Sequence, residues 1–494
     1  MYRKSESAKI EAEDFVLPFE GKLRKDNRWV IMAQLVPWAE FDQEYASLFK
    51  TKIGARAKSF RMALGALIIQ EKLRTTDRET VAQIQENPYL QYFIGLLKYS
   101  NDLPFHPSMM VHFRKRINKE MIEKINRKML ENEKGEKTEK EQKENPRKNQ
   151  GKLILDATCS PADIAFPTDL GLLNKVRKQT EKIIDILYKS RVGILKKKPR
   201  TYRRKARKDY LNVAKKKRAR KEEREKAIHL QLNYIRRNLA IIDKLISQGY
   251  SLLKLSKKEY KKLLVVAEIY RQQLWMYQEK QNRIDNRIVS IEQPHIRPIV
   301  RGKTGKPVEF GGKISASIYA NFVFLDHLSW DNFNESQDLK KQVEKYQEYM
   351  GYYPESIHVD QIYRTRANRS YCKEKGIRMS GKPLGRPPKN ISKEQKKQAR
   401  EDEIIRNTIE GKFGVGKRRY GLNRIMTKLS QTSETVISMS FLVMNISYLY
   451  RQALSIFWCL FSKITSFLRL LINKTYINLN KEKQKIILIS GCDS

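Results

Sequence analysis

The chain is poor in the features that would place it outside a reducing compartment. Its 494 residues include only four cysteines, Cys159, Cys372, Cys459 and Cys492, with no CxxC pair. That spacing excludes a zinc module or a disulfide framework and predicts a cytoplasmic setting. The N-terminus, Met1 to Lys9, lacks the apolar core of a signal peptide. Long uncharged apolar runs are missing as well. In the most apolar region, 436–472, Arg451, Lys463 and Arg469 interrupt the pattern before it reaches the roughly 18–20 residues a membrane crossing needs. Buried helices are therefore expected there, and no membrane partner. Acidic residues are scarce: 55 Asp and Glu stand against 100 Lys and Arg, a net charge of +45. Such a surplus repels itself in a compact fold unless a polyanion is close, so nucleic acid is the leading partner, with a membrane surface or ribosome as rivals. The hydrophobic fraction of 40% suffices for ordinary cores, and the length suggests roughly three domains.

Residues 1–130 read as a mostly helical module. Phe60 to Leu73 carries apolar residues at helical spacing, and Thr76-Asp-Arg-Glu79 is a capping box opening the next helix. After Asn87-Pro88 comes a short aromatic segment, Tyr89 to Phe93, and Pro107-Ser108 is expected to cap a final basic helix from Met109. That helix brings Arg114, Lys115 and Arg116. Its pattern suits a helix-turn-helix DNA reader or a plain bundle with a solvated face. Residues 131–150 contain no apolar residue and read as a charged linker, or as one long solvated helix end.

A second core, 151–450, opens with Leu153-Ile154-Leu155 and holds a basic helical insertion at 170–290. Within it, 196–226 contains 17 Lys or Arg and four acidic residues. Lys196, Lys197, Lys198, Arg203, Arg204, Lys215, Lys216 and Lys217 are its candidate contacts to DNA phosphates, against the alternative of a solvated helix face. Strand-like composition returns at 307–327, where Gly311-Gly312 suggests a bulge or turn. A helix follows over 336–349. Lys382 to Lys389 is a Pro- and Gly-rich basic loop suited to a nucleic-acid groove. An apolar helical region and tail, 451–494, ends the chain.

Three acidic residues stand out against this background. Asp156 follows one apolar run and Asp360 follows Ser356 to Val359, so each carboxylate would sit where a strand leaves the core. Glu410 lies on a helix whose face is marked by Ile404, Ile405 and Ile409. Hard oxygen ligands of this kind suit a pair of Mg²⁺ ions, which in-line displacement at a phosphodiester requires about 3.5–4 Å apart. Asp163, Asp169 and His358 are weaker competitors, the last a packed neighbour rather than a ligand. Arg406 and Glu410 share a helix face; they could also be a surface ion pair worth under about 0.5 kcal/mol.

The order strand–Asp, hairpin strands, helix, strand–Asp, helix–Glu resembles the ribonuclease H-like fold of DDE transposases. Asp156-Ala-Thr158 with Phe166-Pro-Thr-Asp-Leu-Gly is similar to the first acidic motif of bacterial insertion-sequence transposases of the IS5-type, IS4-related group, and Val359-Asp360-Gln-Ile-Tyr363 to their second. Arg406-x3-Glu410-x6-Lys417 matches their Y-x2-R-x3-E-x6-K signature at three of four places; Glu403 stands where the family has tyrosine. The resemblance covers most of 50–450. It implies an α/β, ribonuclease H-like catalytic core with a helical N-terminal DNA-binding domain and a helical insertion. It also implies Asp156, Asp360 and Glu410 as catalytic residues and ligands of two Mg²⁺ ions, with Mn²⁺ as a substitute. Double-stranded DNA with terminal inverted repeats would be the substrate, engaged by a homodimer in the bacterial nucleoid. By helix geometry, Arg406 and Lys417 could hold flanking phosphates or offset developing charge, and Arg418 and Arg419 are further candidate DNA contacts. The implied reaction is cut-and-paste transposition; a catalytically inactive DNA-binding descendant is the alternative.

Overall fold

The computed structural model describes residues 11–18, 21–49, 56–144, 149–189, 197–303, 306–382, 385 and 392–455. Seven helices lead the chain: α1 (Arg28–Leu35), α2 (Trp38–Ser47), α3 (Phe60–Leu73), α4 (Asp77–Glu86), α5 (Pro88–Phe93), α6 (Met109–Arg116) and α7 (Lys119–Glu144). Local chemistry explains their ends. Thr76 Oγ1 accepts from the Glu79 amide at 3.2 Å, opening α4 as expected. Asn87 caps α5 through the amides of Tyr89 and Leu90, with Pro88 at its first position, so the aromatic segment is a helix. Ser108 does not cap α6. Its hydroxyl lies 2.8 Å from His106 Nδ1, within the preceding turn. Residues 131–144 continue α7, broken at Gly135 with φ 56°, the helical alternative for that charged stretch.

The sheet is built from β1 (Lys152–Pro161), β2 (Arg297–Lys303), β3 (Lys306–Tyr319), β4 (Phe322–Ser329), β5 (Ser356–Val359) and β6 (Arg378–Met379). Across it the order is β2-β3-β1-β5-β6, with β4 also on β3. β1 runs antiparallel to β3 and parallel to β5. The strand does not end at Asp156, as its apolar run suggested. Thr158, Cys159 and Ser160 are buried, and pairing with β3 continues to Pro161 opposite Gly311. Nor do Gly311 and Gly312 form a bulge or turn. β3 passes straight through, because a Cβ on Gly311 would lie 2.1 Å from the Ser160 carbonyl oxygen. The irregularity falls on β4, where Asp326 is the extra residue between the pairs His327–Ser315 and Leu325–Ala316. Ala320 and Asn321 join β3 to β4, both at positive φ, as a tight two-residue hairpin demands.

Between β1 and β2 lies the helical insertion: α8 (Asp169–Lys189), α9 (Arg203–Ala214), α10 (Lys221–Ser247) and α11 (Lys257–Gln278). It has its own apolar centres, one around Leu173, Val176, Ile235 and Ile269, the other around Ile183, Leu187, Ile242 and Leu245. After the hairpin come α12 (Leu339–Met350), α13 (Arg366–Glu374) and α14 (Lys393–Arg419), and residues 430–455 are helical. This last helix is buried. Asn445 bonds both backbone groups of Val323 at 2.9 Å and Asn126 Oδ1 at 3.0 Å. One hydrophobic core therefore runs from α1–α7 through the sheet to the final helix. No described helix is long and apolar enough to cross a membrane; residues 456–494 lie outside the described residues.

Candidate active site

The parallel pairing of β1 with β5 determines where the two aspartates sit. Its last pair is Leu155 with Val359, so Asp156 and Asp360 are the next residue on each strand, side by side where the ladder opens. Crevices at the carboxyl ends of parallel strands are the usual binding sites of such sheets. Each aspartate is held locally: Asp156 Oδ1 accepts from the Ala157 amide and Asp360 Oδ1 from the Gln361 amide, both at 2.7 Å. Asp360 thereby caps the 3₁₀ turn Gln361–Tyr363.

A cleft of about 590 Å³ opens above them, lined also by Thr158, Lys313, Asn334 and Glu335. Glu335 is a third carboxylate that the sequence reading missed. It begins a 3₁₀ turn capped by Asn334, and Lys313 Nζ lies 2.9 Å from its Oε1. Lys313 also donates to the Phe333 carbonyl at 2.6 Å. The only sequence signal was the Asn334-Glu335 turn ahead of the expected helix. Burial pushes the Asp156 carboxyl up to about 6; its own backbone bond works against this, Glu335 and Asp360 add to it, and Arg406 opposes it. A carboxylate whose surroundings resist its charge in this way is one a cation would stabilise.

Glu410 is carried by α14, which Ser392 and Gln395 open with a capping box. The helix packs on β1 and β5 through Ile409 and Phe413, both buried. Asp402 ties it to the sheet: Arg378 donates to both carboxylate oxygens at 2.8 Å. His358 lies in the same contact, buried, with Nδ1 3.5 Å from Asp402. Burial pushes it down to about 4, against the pull of Asp402, so it is a neutral packing group at neutral pH. The Glu410 side chain is 55% exposed and accepts from Arg406 Nη1 at 2.8 Å. Arg406 Nη2 also donates to Glu403 at 2.7 Å, so the residue standing at the tyrosine position is a second anionic partner for this arginine. The structure thus brings Asp156 and Asp360 together and leaves Glu410 on the neighbouring helix, turned to Arg406. Among the described residues, no three Asp, Glu, His or Cys side chains are close enough to hold one ion.

The competing acids are engaged elsewhere. Arg424 binds Asp163, Arg287 binds Asp169, and Gln273 donates to Asp169 at 3.0 Å. Of the expected DNA contacts, Arg114 requires a correction. It is buried, and its guanidinium forks onto Asp77 at 2.9 and 2.6 Å with Gln70 at 2.9 Å, because α6 packs inward against α3. Lys115 is exposed, and Arg116 stacks over the Phe49 ring at 4.7 Å. Lys417 is half-buried; Arg418 and Arg419 are exposed at the end of α14. In the insertion, Lys198 and Arg203 both bind Asp185, at 2.6 and 2.8 Å, and Lys216 binds Glu223 at 2.7 Å. Lys197, Arg204, Lys215 and Lys217 are exposed. Lys196 and most of the 382–389 loop lie outside the described residues.

Comparison with known proteins locates these features. Residues 357–447 match the family described as "Transposase DDE domain", and residues 17–116 match "Transposase domain (DUF772)". Asp360 and Glu410 fall within the first match; Asp156 falls outside both. The uncharacterized protein ORF8 in the nfe locus of Rhizobium meliloti is 27% identical over 146 residues, 30% of this chain and 67% of that protein. No solved structure matches the chain. The two family matches support a DDE transposase and a role in DNA transposition.

Proposed function

We propose that the chain is a transposase of the IS5-type group that cuts DNA at the ends of its element and joins them to target DNA in a metal-dependent reaction. The observation that carries this is the placement of Asp156 and Asp360 on adjacent residues past the last β1–β5 pair, with the helix of Glu410 packed across the same two strands. Counting β4, the order β4-β3-β1-β5-β6, with β3 antiparallel, supports a ribonuclease H-like core.

The donor set of the cleft is all oxygen, which fits Mg²⁺ or Mn²⁺, and Asp156, Asp360 and Glu410 would hold the ions. Bound there, they would activate the attacking oxygen and steady the leaving one. The remaining work falls to the chain's own residues. Arg406 holds Glu410 in reserve beside the cleft and supplies positive charge to it. Lys417, on the Glu410 face of α14, positions a flanking phosphate. Hydrolysis would break the bond between phosphorus and the 3′-oxygen at the element end and free a 3′-hydroxyl. That hydroxyl would then attack a target phosphodiester, replacing one P–O bond with another.

Fe²⁺ exchanged into the site, with ascorbate and peroxide, cuts a polypeptide beside its ligands and tests the metal set independently of activity. Breaks at 156, 360 and 410 are expected. Breaks at 156 and 335 with none near 410 would remove Glu410 from the set.

A further inference from the structure

α14 carries cations on two sides. Glu403, Arg406, Glu410 and Lys417 lie along one side of the helix, and Thr408, Lys412, Val415 and Arg418 recur along the other. That other side forms one wall of a groove of about 360 Å³, closed by Tyr420 and by Ser447 and Arg451 of the final helix. Its cations come from four helices, α1, α3, α14 and the final helix. Lys72 of α3 reaches in to donate to Ser447 Oγ at 2.6 Å and lies 5.9 Å from the Tyr420 ring centre. Lys412 donates to the Asn321 carbonyl at 3.1 Å and sits over the Tyr448 ring at 5.5 Å. Arg28 of α1, Arg418, Arg419 and Arg451 are exposed around them.

The partners of Lys72 and Lys412 are all neutral: a hydroxyl, a carbonyl and two aromatic faces. Among the described residues, none of the six is paired with a carboxylate, whereas in the insertion Lys198, Arg203 and Lys216 all are. Their charges act on one another instead. Burial, then Arg28, Arg451 and Arg419, pushes Lys72 down to about 8, and burial followed by Arg451 lowers Lys412. Cations fixed in place by neutral contacts and facing only one another form a site whose missing partner is an anion.

We propose that this groove binds the phosphodiester backbone of duplex DNA, forming a second DNA contact on the side of α14 opposite Glu410. The ligand rests on the transposase reading; the groove's demand for an anion does not. Because Arg28 and Lys72 belong to the N-terminal module and Arg418 to the helix of Glu410, DNA bound here spans both.

The test uses the full chain, wild type and the triple variant Lys72→Gln, Lys412→Gln, Arg451→Gln, with labelled duplex DNA of random sequence titrated over a range of salt. Each phosphate contact contributes about 0.9 to the slope of log K against log salt, so the triple variant should lose roughly 2–3 from that slope. The loss should be the same on any sequence. An unchanged slope for the variant, with wild type binding normally, overturns the groove and leaves the transposase reading standing. Wild type that binds no duplex at all overturns that reading instead. A slope lost on single-stranded RNA and kept on duplex DNA overturns the ligand class. Melting without DNA checks the fold: removing mutually repelling cations should leave the variant at least as stable as wild type. Should the triple variant melt lower, Arg451→Gln alone, at the exposed rim, still decides the matter by losing about 0.9 from the slope.

Discussion

The sequence spells Arg-x3-Glu at Arg177–Glu181 on α8 and again at Arg406–Glu410 on α14, and the structure puts these two pairs to opposite uses. Arg177 is 1% exposed and binds Glu181, Gln231 and Asn174 inside the insertion. Arg406 is 17% exposed, its partner Glu410 is 55% exposed, and the pair stands beside a cleft already holding two aspartates. At α8 the polar atoms are consumed by one another, and the pair fixes helix packing. At α14 the carboxylate remains reachable and its arginine is shared with Glu403. Spacing alone makes the two pairs equal; burial and neighbours decide which is a strut and which can do chemistry.

The largest expected effect falls on the α14 side. Asp156→Asn should abolish DNA cleavage while leaving duplex binding within a few-fold of wild type, checked by cleavage and binding assays on the same preparation. Loss of both would make Asp156 a structural residue. The α8 side should respond in stability. Arg177→Met leaves Glu181 buried and unpaired and should cost about 3–5 kcal/mol in urea unfolding, whereas Arg406→Met should cost under about 1 kcal/mol. Equal costs would erase the distinction between the two pairs.

A third pair sharpens the comparison. Glu71 of α3 is buried, 3.6 Å from Arg74, with Ser440 Oγ at 2.7 Å. Burial pushes it up to about 7, and Ser440 and Arg74 only partly offset this. Its folded value lies above its unfolded one of 4.5. Its contribution is therefore complete below that pH and is lost as pH rises through 7. Glu71→Gln should flatten this decline, by about 3 kcal/mol at most, in unfolding measured between pH 4.5 and 8. A decline identical in the variant would mean the carboxyl titrates normally. The smallest effect is expected for Glu403→Tyr, which removes one of two acids from an exposed pair. It should change stability by under about 0.5 kcal/mol and cleavage by no more than a few-fold.

These contrasts also show what the sequence could disclose. Thr76 and the run from Ser356 to Val359 were legible because a cap and a short apolar strand are local chemistry. Asp156 looked like a strand end because Thr158, Cys159 and Ser160 are small and partly polar; only their burial against β3 extends the strand. Gly311-Gly312 suggested a turn, yet Gly311 is a close-contact glycine, a fact that lives in the opposing strand. Arg114 looked like a DNA contact because its partner Asp77 is 37 residues away. Glu335 was invisible for the same kind of reason: the β3 lysine beside it, Lys313, lies 22 positions earlier in the chain. The acidic residues themselves were legible one by one, and their adjacency came from strand register.

The most direct test is cleavage of DNA carrying the element's terminal repeats by wild type, Glu410→Gln and Glu181→Gln, each with Mg²⁺ or with EDTA. Wild type and Glu181→Gln should cut at the repeat ends with Mg²⁺ only, Glu181→Gln in proportion to its folded fraction, and Glu410→Gln should not cut. Cutting by Glu410→Gln at the wild-type rate would contradict the assignment of α14 as the helix that completes the active site.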